Sequence, residues 1–331
     1  MTTGRVERVS FTSDVLKSNP CGDPATRTVP VYLPPGYDAA PTARYPVVFC
    51  LTGFTGRGVM LLNEDGWAPN IAQRMDRLIA SGRAKPMILV MPDCFTRYGG
   101  SQYIDSPATG RYEEHLVREL VPWADRTWRT RPDRRAVMGK SSGGFGAITH
   151  GMRHPDVFHA VACHSGDMLF EYCYLPDFPK FLSGVQKAGG VPEFFRKFEE
   201  SPRKKSEDLA VLNILAMAAC YSSDPARELG IDFPFDLHSG RLRDDVWARW
   251  LSWDPARLVA RYETALRSLR LIFIDCGTRD EWNLHLGARV LVEELASRGI
   301  AHRHEEFDDG HMQITYRYDV SLVAISDALA D

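Results

Sequence analysis

A chain of 331 residues with 44% hydrophobic and 25% charged side chains can bury a sizeable core, which excludes disordered and fibrous classes. A formal net charge of −3 lacks the basic excess that a nucleic-acid partner requires. Seven cysteines, an odd number with no C-x-x-C pair, fit reduced and partly buried thiols rather than a disulfide framework or a zinc site, so neither metal nor cofactor is expected.

Residues 1–11 lack the apolar core of a secretory leader. The longest apolar stretch, 210–221, contains Asn213 and falls short of the roughly 20 residues a membrane helix needs, so a cytoplasmic protein without membrane contact is expected. Strand-like runs follow at 28–33 and 47–51, the second leading into Thr52-Gly53-Phe54, and at 87–91, leading into Asp93 and a loop with Tyr98, Ser101 and Gln102. That loop is read either as lining a substrate site or as a hydrogen-bonded turn beside it. Arg126, Arg129, Arg131, Arg134 and Arg135 cluster before the next strand and read as a solvated face.

The strand at 136–138 runs into Gly139-Lys140-Ser141-Ser142-Gly143, and Phe145, Ile148 and Met152 continue at helical spacing. Strand, sharp turn and helix form the context in which G-x-S-x-G makes a nucleophile elbow, with Ser141 exposed at its tip. Lys140 is expected to point away from the substrate side, into a buried ion pair or hydrogen bond. After a strand at 160–164 the rhythm breaks for about a hundred residues, far more than an ordinary strand–helix connection. Residues 168–253 hold 14 of the 35 Phe, Trp and Tyr. Most of these rings must fill a satellite core. A few, with Phe170, Trp247 and Trp250 as candidates, are expected to bound an apolar substrate pocket.

A strand at 271–274 precedes a loop with two acids, Asp275 and Asp280, of which Asp280 is chosen as the catalytic acid. A helix through Leu286, Val290, Leu291 and Leu295 and a polar strand at 302–307 lead to Asp308-Asp309-Gly310-His311, before a helix through Ile314, Tyr318, Leu322 and Ile325. Serine, acid and histidine then stand in the chain order of this elbow architecture. A histidine there can take the serine proton and return it to the leaving group once an acid fixes its tautomer. The remaining histidines read as solvated or hydrogen-bonded.

These residues, together with Val31-Tyr32-Leu33-Pro34-Pro35-Gly36-Tyr37, Met91-Pro92-Asp93, Gly99-Gly100-Ser101-Gln102-Tyr103, Glu119-Leu120-Val121-Pro122 and His154-Pro155-Asp156-Val157-Phe158, resemble the esterase family of α/β-hydrolases that includes esterase D (S-formylglutathione hydrolase), enterochelin esterases, feruloyl esterases and mycolyltransferases. The resemblance implies an α/β-hydrolase fold, a mostly parallel central sheet with helices on both faces and a cap insertion. The corresponding boundaries are core at 1–166, cap at 167–262 and core at 263–331. It implies a triad of Ser141, Asp280 and His311, and an oxyanion loop at Thr52-Gly53-Phe54 with the main-chain N–H groups of Phe54 and Ser142 as donors. Substrate contacts are expected at Thr52, Gly53, Asp93, Tyr98 and Gln102. Relatives usually carry histidine at the position of Thr52 and a less charged residue at that of Lys140. The implied activity is a serine carboxylesterase acting on a small-molecule ester or thioester; an acyltransferase with the same triad and a noncatalytic binding scaffold are the alternatives. A homo-oligomer is compatible with the sequence.

Overall fold

The computed structural model describes residues 3–330. The strands are β1 (Arg5–Thr12), β2 (Thr26–Leu33), β3 (Tyr45–Leu51), β4 (Ile88–Val90), the two-residue pieces β5 (Asp105–Ser106) and β6 (Gly110–Arg111), β7 (Thr130–Lys140), β8 (Ala160–His164), β9 (Leu271–Gly277) and β10 (Arg303–Phe307). Eight of them form one sheet in the order β1-β2-β4-β3-β7-β8-β9-β10, while β5 and β6 pair as a separate ribbon. From β4 to β10 every neighbour is parallel, and β2 alone runs against both its partners.

The strand sequences explain why the sheet is covered on both faces. Val47, Phe49 and Leu51 pack into one core and Val48 and Cys50 into the other, as the alternation of side chains along a strand requires. The first face carries the helix Ser142–Arg153, with Phe145, Ile148 and Met152 buried. The second carries Ile71–Ala80 and Tyr318–Ala328 through Met75, Leu78, Leu322 and Ile325.

Two elements differ from the expectation. β1 reads RVERVSFT and was not anticipated: as an edge strand it leaves most of its side chains in water and shows no apolar run. β7 begins six residues earlier than expected and includes Arg131, Arg134 and Arg135. The arginine cluster is therefore not simply a solvated face: Arg135 is buried and paired with Asp125, and the Arg129 guanidinium stacks 3.7 Å from the Tyr37 ring centroid.

Between β8 and β9 the chain forms the helices Phe178–Ala188, Val191–Glu200, Ser206–Tyr221 and Asp244–Leu251, with shorter turns. Ser206–Tyr221 is the longest apolar stretch; ten of its residues are buried. No helix among the described residues is long and apolar enough to cross a membrane. The expectation that Phe170, Trp247 and Trp250 line a pocket is corrected here. Phe170 and Trp250 are 0% exposed and Trp247 is 7% exposed. Trp250 lies against Tyr174, Phe178 and Tyr221 at 5.5–5.7 Å between ring centroids, and its Nε1 donates to Ser222 Oγ at 2.8 Å. A helical segment this long must bury a core of its own, and large rings supply most of its apolar area. Trp250→Ala is accordingly expected to cost about 3 to 5 kcal/mol of stability in chemical denaturation, while the ratio of rates on bulky and acetyl esters changes little.

Candidate active site

β7 ends at Lys140, in register with His164 of β8. The next residue, Ser141, has φ 58° and ψ −127°, a conformation that costs a residue with a Cβ of order 1–3 kcal/mol. Its N–H donates to the His164 carbonyl at 2.9 Å, and its carbonyl accepts from Phe145 N as the helix Ser142–Arg153 begins. Glycine is required on both sides of this turn. A Cβ on Gly139 would stand 2.4 Å from the Gly143 carbonyl oxygen, and one on Gly143 would stand 2.6 Å from that of Leu51. The strain at Ser141 is thus fixed by close backbone approaches from three strands and a helix.

After β3, Gly53 passes directly beside the serine: the position of a Cβ on Gly53 is 3.2 Å from Ser141 Cβ and 3.8 Å from its Oγ. Tyr103 braces this loop. Its hydroxyl accepts from Thr52 N at 2.8 Å and donates to Thr52 O at 2.7 Å, and Thr52 Oγ1 lies 3.3 Å away. Gln102 and Tyr103 both have positive φ, 50° and 57°, which turns the tyrosine under the loop. Tyr103→Phe leaves the buried N–H and C=O of Thr52 without that partner. Turnover is expected to fall about tenfold to a hundredfold, less than the loss of an oxyanion donor itself. KM should change little, and steady-state kinetics on a soluble ester checks both.

On the other side, the loops after β9 and β10 bring Asp280 and His311 together. Asp280 Oδ2 is 2.7 Å from His311 Nδ1, and Asp280 Oδ1 accepts from the N–H groups of Trp282 at 2.9 Å and Leu284 at 3.4 Å. Burial alone would raise the Asp280 carboxyl, but the His311 hydrogen bond and charge and the two main-chain donors outweigh it and hold it below the usual carboxylate range. An ionised carboxylate only accepts, so Nδ1 carries the ring proton and Nε2 presents its lone pair. Glu281 Oε2 accepts from His311 N at 2.7 Å and fixes the loop that carries His311.

Asp275 does not lie in a loop. It is the fifth residue of β9, with Oδ1 2.6 Å from His164 Nδ1 and Oδ2 accepting from Arg317 Nε at 2.8 Å. His164 Nε2 in turn lies 2.8 Å from Ser321 Oγ. This second arrangement of Ser, His and Asp is 0% exposed at all three residues, so no carbonyl can reach its hydroxyl. It ties β8, β9 and the C-terminal helix together.

Ser142 Oγ lies 3.4 Å from Asp167 Oδ2, which also accepts from Tyr174 OH at 2.9 Å and Gln102 Nε2 at 3.1 Å; Gln102 Nε2 is 2.8 Å from Tyr221 OH. Burial pushes the Asp167 carboxyl up. Gln102 is therefore held in a buried polar network reaching the elbow. Asp93 and Tyr98 are both buried: Asp93 accepts from Phe95 N at 3.1 Å and faces Arg27 at 3.7 Å, and Tyr98 packs on Phe195 of the helix Val191–Glu200 at 5.0 Å between ring centroids. Lys140 also differs from expectation. No carboxylate of the described residues is within ion-pair distance of its ammonium; burial lowers its pKa while Asp280, Glu281 and Asp167 act on it from farther away. Among the described residues no three His, Cys, Asp or Glu side chains gather as a metal-ligand set. Tyr103, Asp167, Glu281 and Trp282 were not singled out by role in the sequence, because their partners lie far along the chain.

The sequence matches the family described as "Putative esterase" over residues 24–329. It is 30% identical over 162 residues to an endo-1,4-beta-xylanase/feruloyl esterase of Xylanibacter ruminicola, covering 47% of this chain and 20% of that protein. It is 34% identical over 89 residues to Esterase Rv1288 of Mycobacterium tuberculosis, covering 25% of this chain and 19% of the other. The matches thus span about a fifth of the length of these curated relatives. Among solved structures, a ferulic acid esterase superposes with a TM-score of 0.64 at 22% identity, covering 99% of this chain and 100% of the other. An S-formylglutathione hydrolase from Agrobacterium tumefaciens superposes with a TM-score of 0.59 at 17% identity, covering 100% and 97%. The fold is that of the α/β-hydrolases.

Proposed function

From the premise that the chain belongs to this esterase family, we propose that it is a serine carboxylesterase that cleaves an ester through an acyl-enzyme on Ser141. The observation that carries the reading is the 2.7 Å bond between Asp280 and His311, formed at the same sheet edge as the strained turn of Ser141. Ser141 Oγ attacks the ester carbonyl while His311 Nε2 takes its proton, and Asp280 steadies the imidazolium. The main-chain N–H groups of Phe54 and Ser142 receive the oxyanion. His311 then passes the proton to the departing alcohol, and water, deprotonated by the same imidazole, releases the acid. Residues 167–262 serve as the cap, Thr52 and Gly53 form the oxyanion loop beside Ser141, and Gln102 holds the buried polar network that reaches the elbow. The similarity to feruloyl esterases supports an aromatic or other apolar acyl group.

A panel of acetyl, butyryl and feruloyl esters and a short acyl thioester, assayed on the wild type and Ser141→Ala with and without added alcohol, tests this. Serine-dependent hydrolysis with a burst of acylation supports it. Ester turnover that survives Ser141→Ala overturns it, and an acylated alcohol as the main product moves the reading to acyl transfer.

A further inference from the structure

Chemistry fixes where the alcohol half of an ester must lie. When the carbonyl carbon to alkoxy oxygen bond breaks, that oxygen accepts the proton held on His311 Nε2, so the departing group is within hydrogen-bond reach of the imidazole at that moment. Side chains beside His311 therefore meet the leaving group, whatever lines the acyl side. One large ring is placed there and left open to solvent. The Trp282 indole stands 4.8 Å from the His311 ring in an edge-to-face arrangement and is 39% exposed. Burial elsewhere does not account for it, since the cap rings form their own closed cluster. Met312, next to the base, is 60% exposed, and Tyr172, 51% exposed, accepts on its main-chain oxygen from Asn283 Nδ2 at 3.4 Å. An exposed apolar ring set directly against a residue of a polar site is an arrangement that marks binding surfaces.

We propose that Trp282 is the leaving-group subsite, with Met312 and Tyr172 on the adjoining segments, and that it selects alcohols carrying a flat apolar ring. The inference rests on the serine esterase reading and extends it to the alcohol side. An indole set edge-to-face against the imidazole and still 39% exposed offers its open surface for offset stacking on such a ring. The fixed hydrogen bond from Trp282 N to Asp280 Oδ1 is a main-chain contact. Replacing the side chain therefore leaves the acid anchored, and selectivity can be separated from catalysis.

The test compares benzyl and methyl esters of one acyl group, whose alcohols are of similar acidity and which give the same acyl-enzyme. In the wild type kcat/KM is expected to favour the benzyl ester by about tenfold or more. Trp282→Ala should shrink that preference by at least about fivefold, and Trp282→Phe, which keeps a ring, should retain most of it. Equal loss on both esters in Trp282→Ala would mean that the indole only steadies His311, and overturns the proposal. So would a wild type indifferent to the alcohol. If the wild type forms no acyl-enzyme from either ester, it is the esterase reading that fails, and the subsite falls with it.

Discussion

Ser141→Ala is expected to lower turnover by at least about three orders of magnitude with the fold intact, the loss seen when a triad nucleophile is removed. The structure gives the fold a reason to survive: the contacts that hold the elbow are the main-chain bonds from Ser141 N to His164 O and from Phe145 N to Ser141 O. The side chain itself is not part of the packing. Ser142→Ala is the matched control. Its main-chain N–H persists, and the hydroxyl it loses is one of several groups around Asp167, at 3.4 Å, so a decrease of about tenfold at most is expected. Turnover numbers from purified variants with matching circular dichroism decide the point. Equal losses, or a greater loss at Ser142, would mean that the reactive serine is misassigned.

Asp280→Asn is expected to lower turnover by up to about four orders of magnitude while the protein still melts cooperatively. Asparagine keeps the acceptor that the Trp282 and Leu284 N–H groups require. Facing His311 Nδ1, however, it presents either an amide donor, which forces the ring proton to Nε2, or a neutral oxygen that stabilises the imidazolium poorly. Asp275→Asn is expected to reverse the pattern. That carboxylate is 0% exposed and shared by His164 and Arg317. Neutralising it weakens the buried bond to His164 and one of the two carboxylate contacts of Arg317, which keeps Glu305, and is expected to cost about 1 to 3 kcal/mol of stability. Urea unfolding and single-turnover acylation, measured on both variants, separate the roles. A greater loss of chemistry than of stability at Asp275 would transfer the acid to β9.

The pH dependence follows from the same geometry. Because the Asp280 carboxyl is held below its usual range in the folded chain, it contributes stability above the unfolded carboxylate pKa, and that contribution fades as pH falls through the lower, folded value. Urea unfolding measured across the acid range checks the sign: stability that rises as the pH falls through that range would contradict it.

What the sequence determined by itself was carried by local signals. The elbow is written in five consecutive residues, because glycines at 139 and 143 let β7, β3 and the following helix approach as they do. Central strands read as continuous apolar runs because parallel strands are buried on both faces. The chain order of Ser141, Asp280 and His311 followed from those strands, since each residue stands within about four positions of a strand end.

Tertiary structure alone decided the rest. Two aspartates five positions apart look alike in the sequence, yet Asp275 ends inside β9 facing a histidine 111 residues earlier and Asp280 ends in the loop facing one 31 residues later. The tyrosine that braces the oxyanion loop is 51 residues from its partner. Aromatic density drew attention to the stretch between β8 and β9, where the chain forms helices, but could not say which rings face inward: Trp250 and Phe170 are buried there, while Trp282, outside it, meets the solvent beside His311. Periodicity reports which face of a helix or strand is apolar. Which side chain of that face meets a partner from another part of the chain depends on how the elements pack, and that is settled only when the whole core closes.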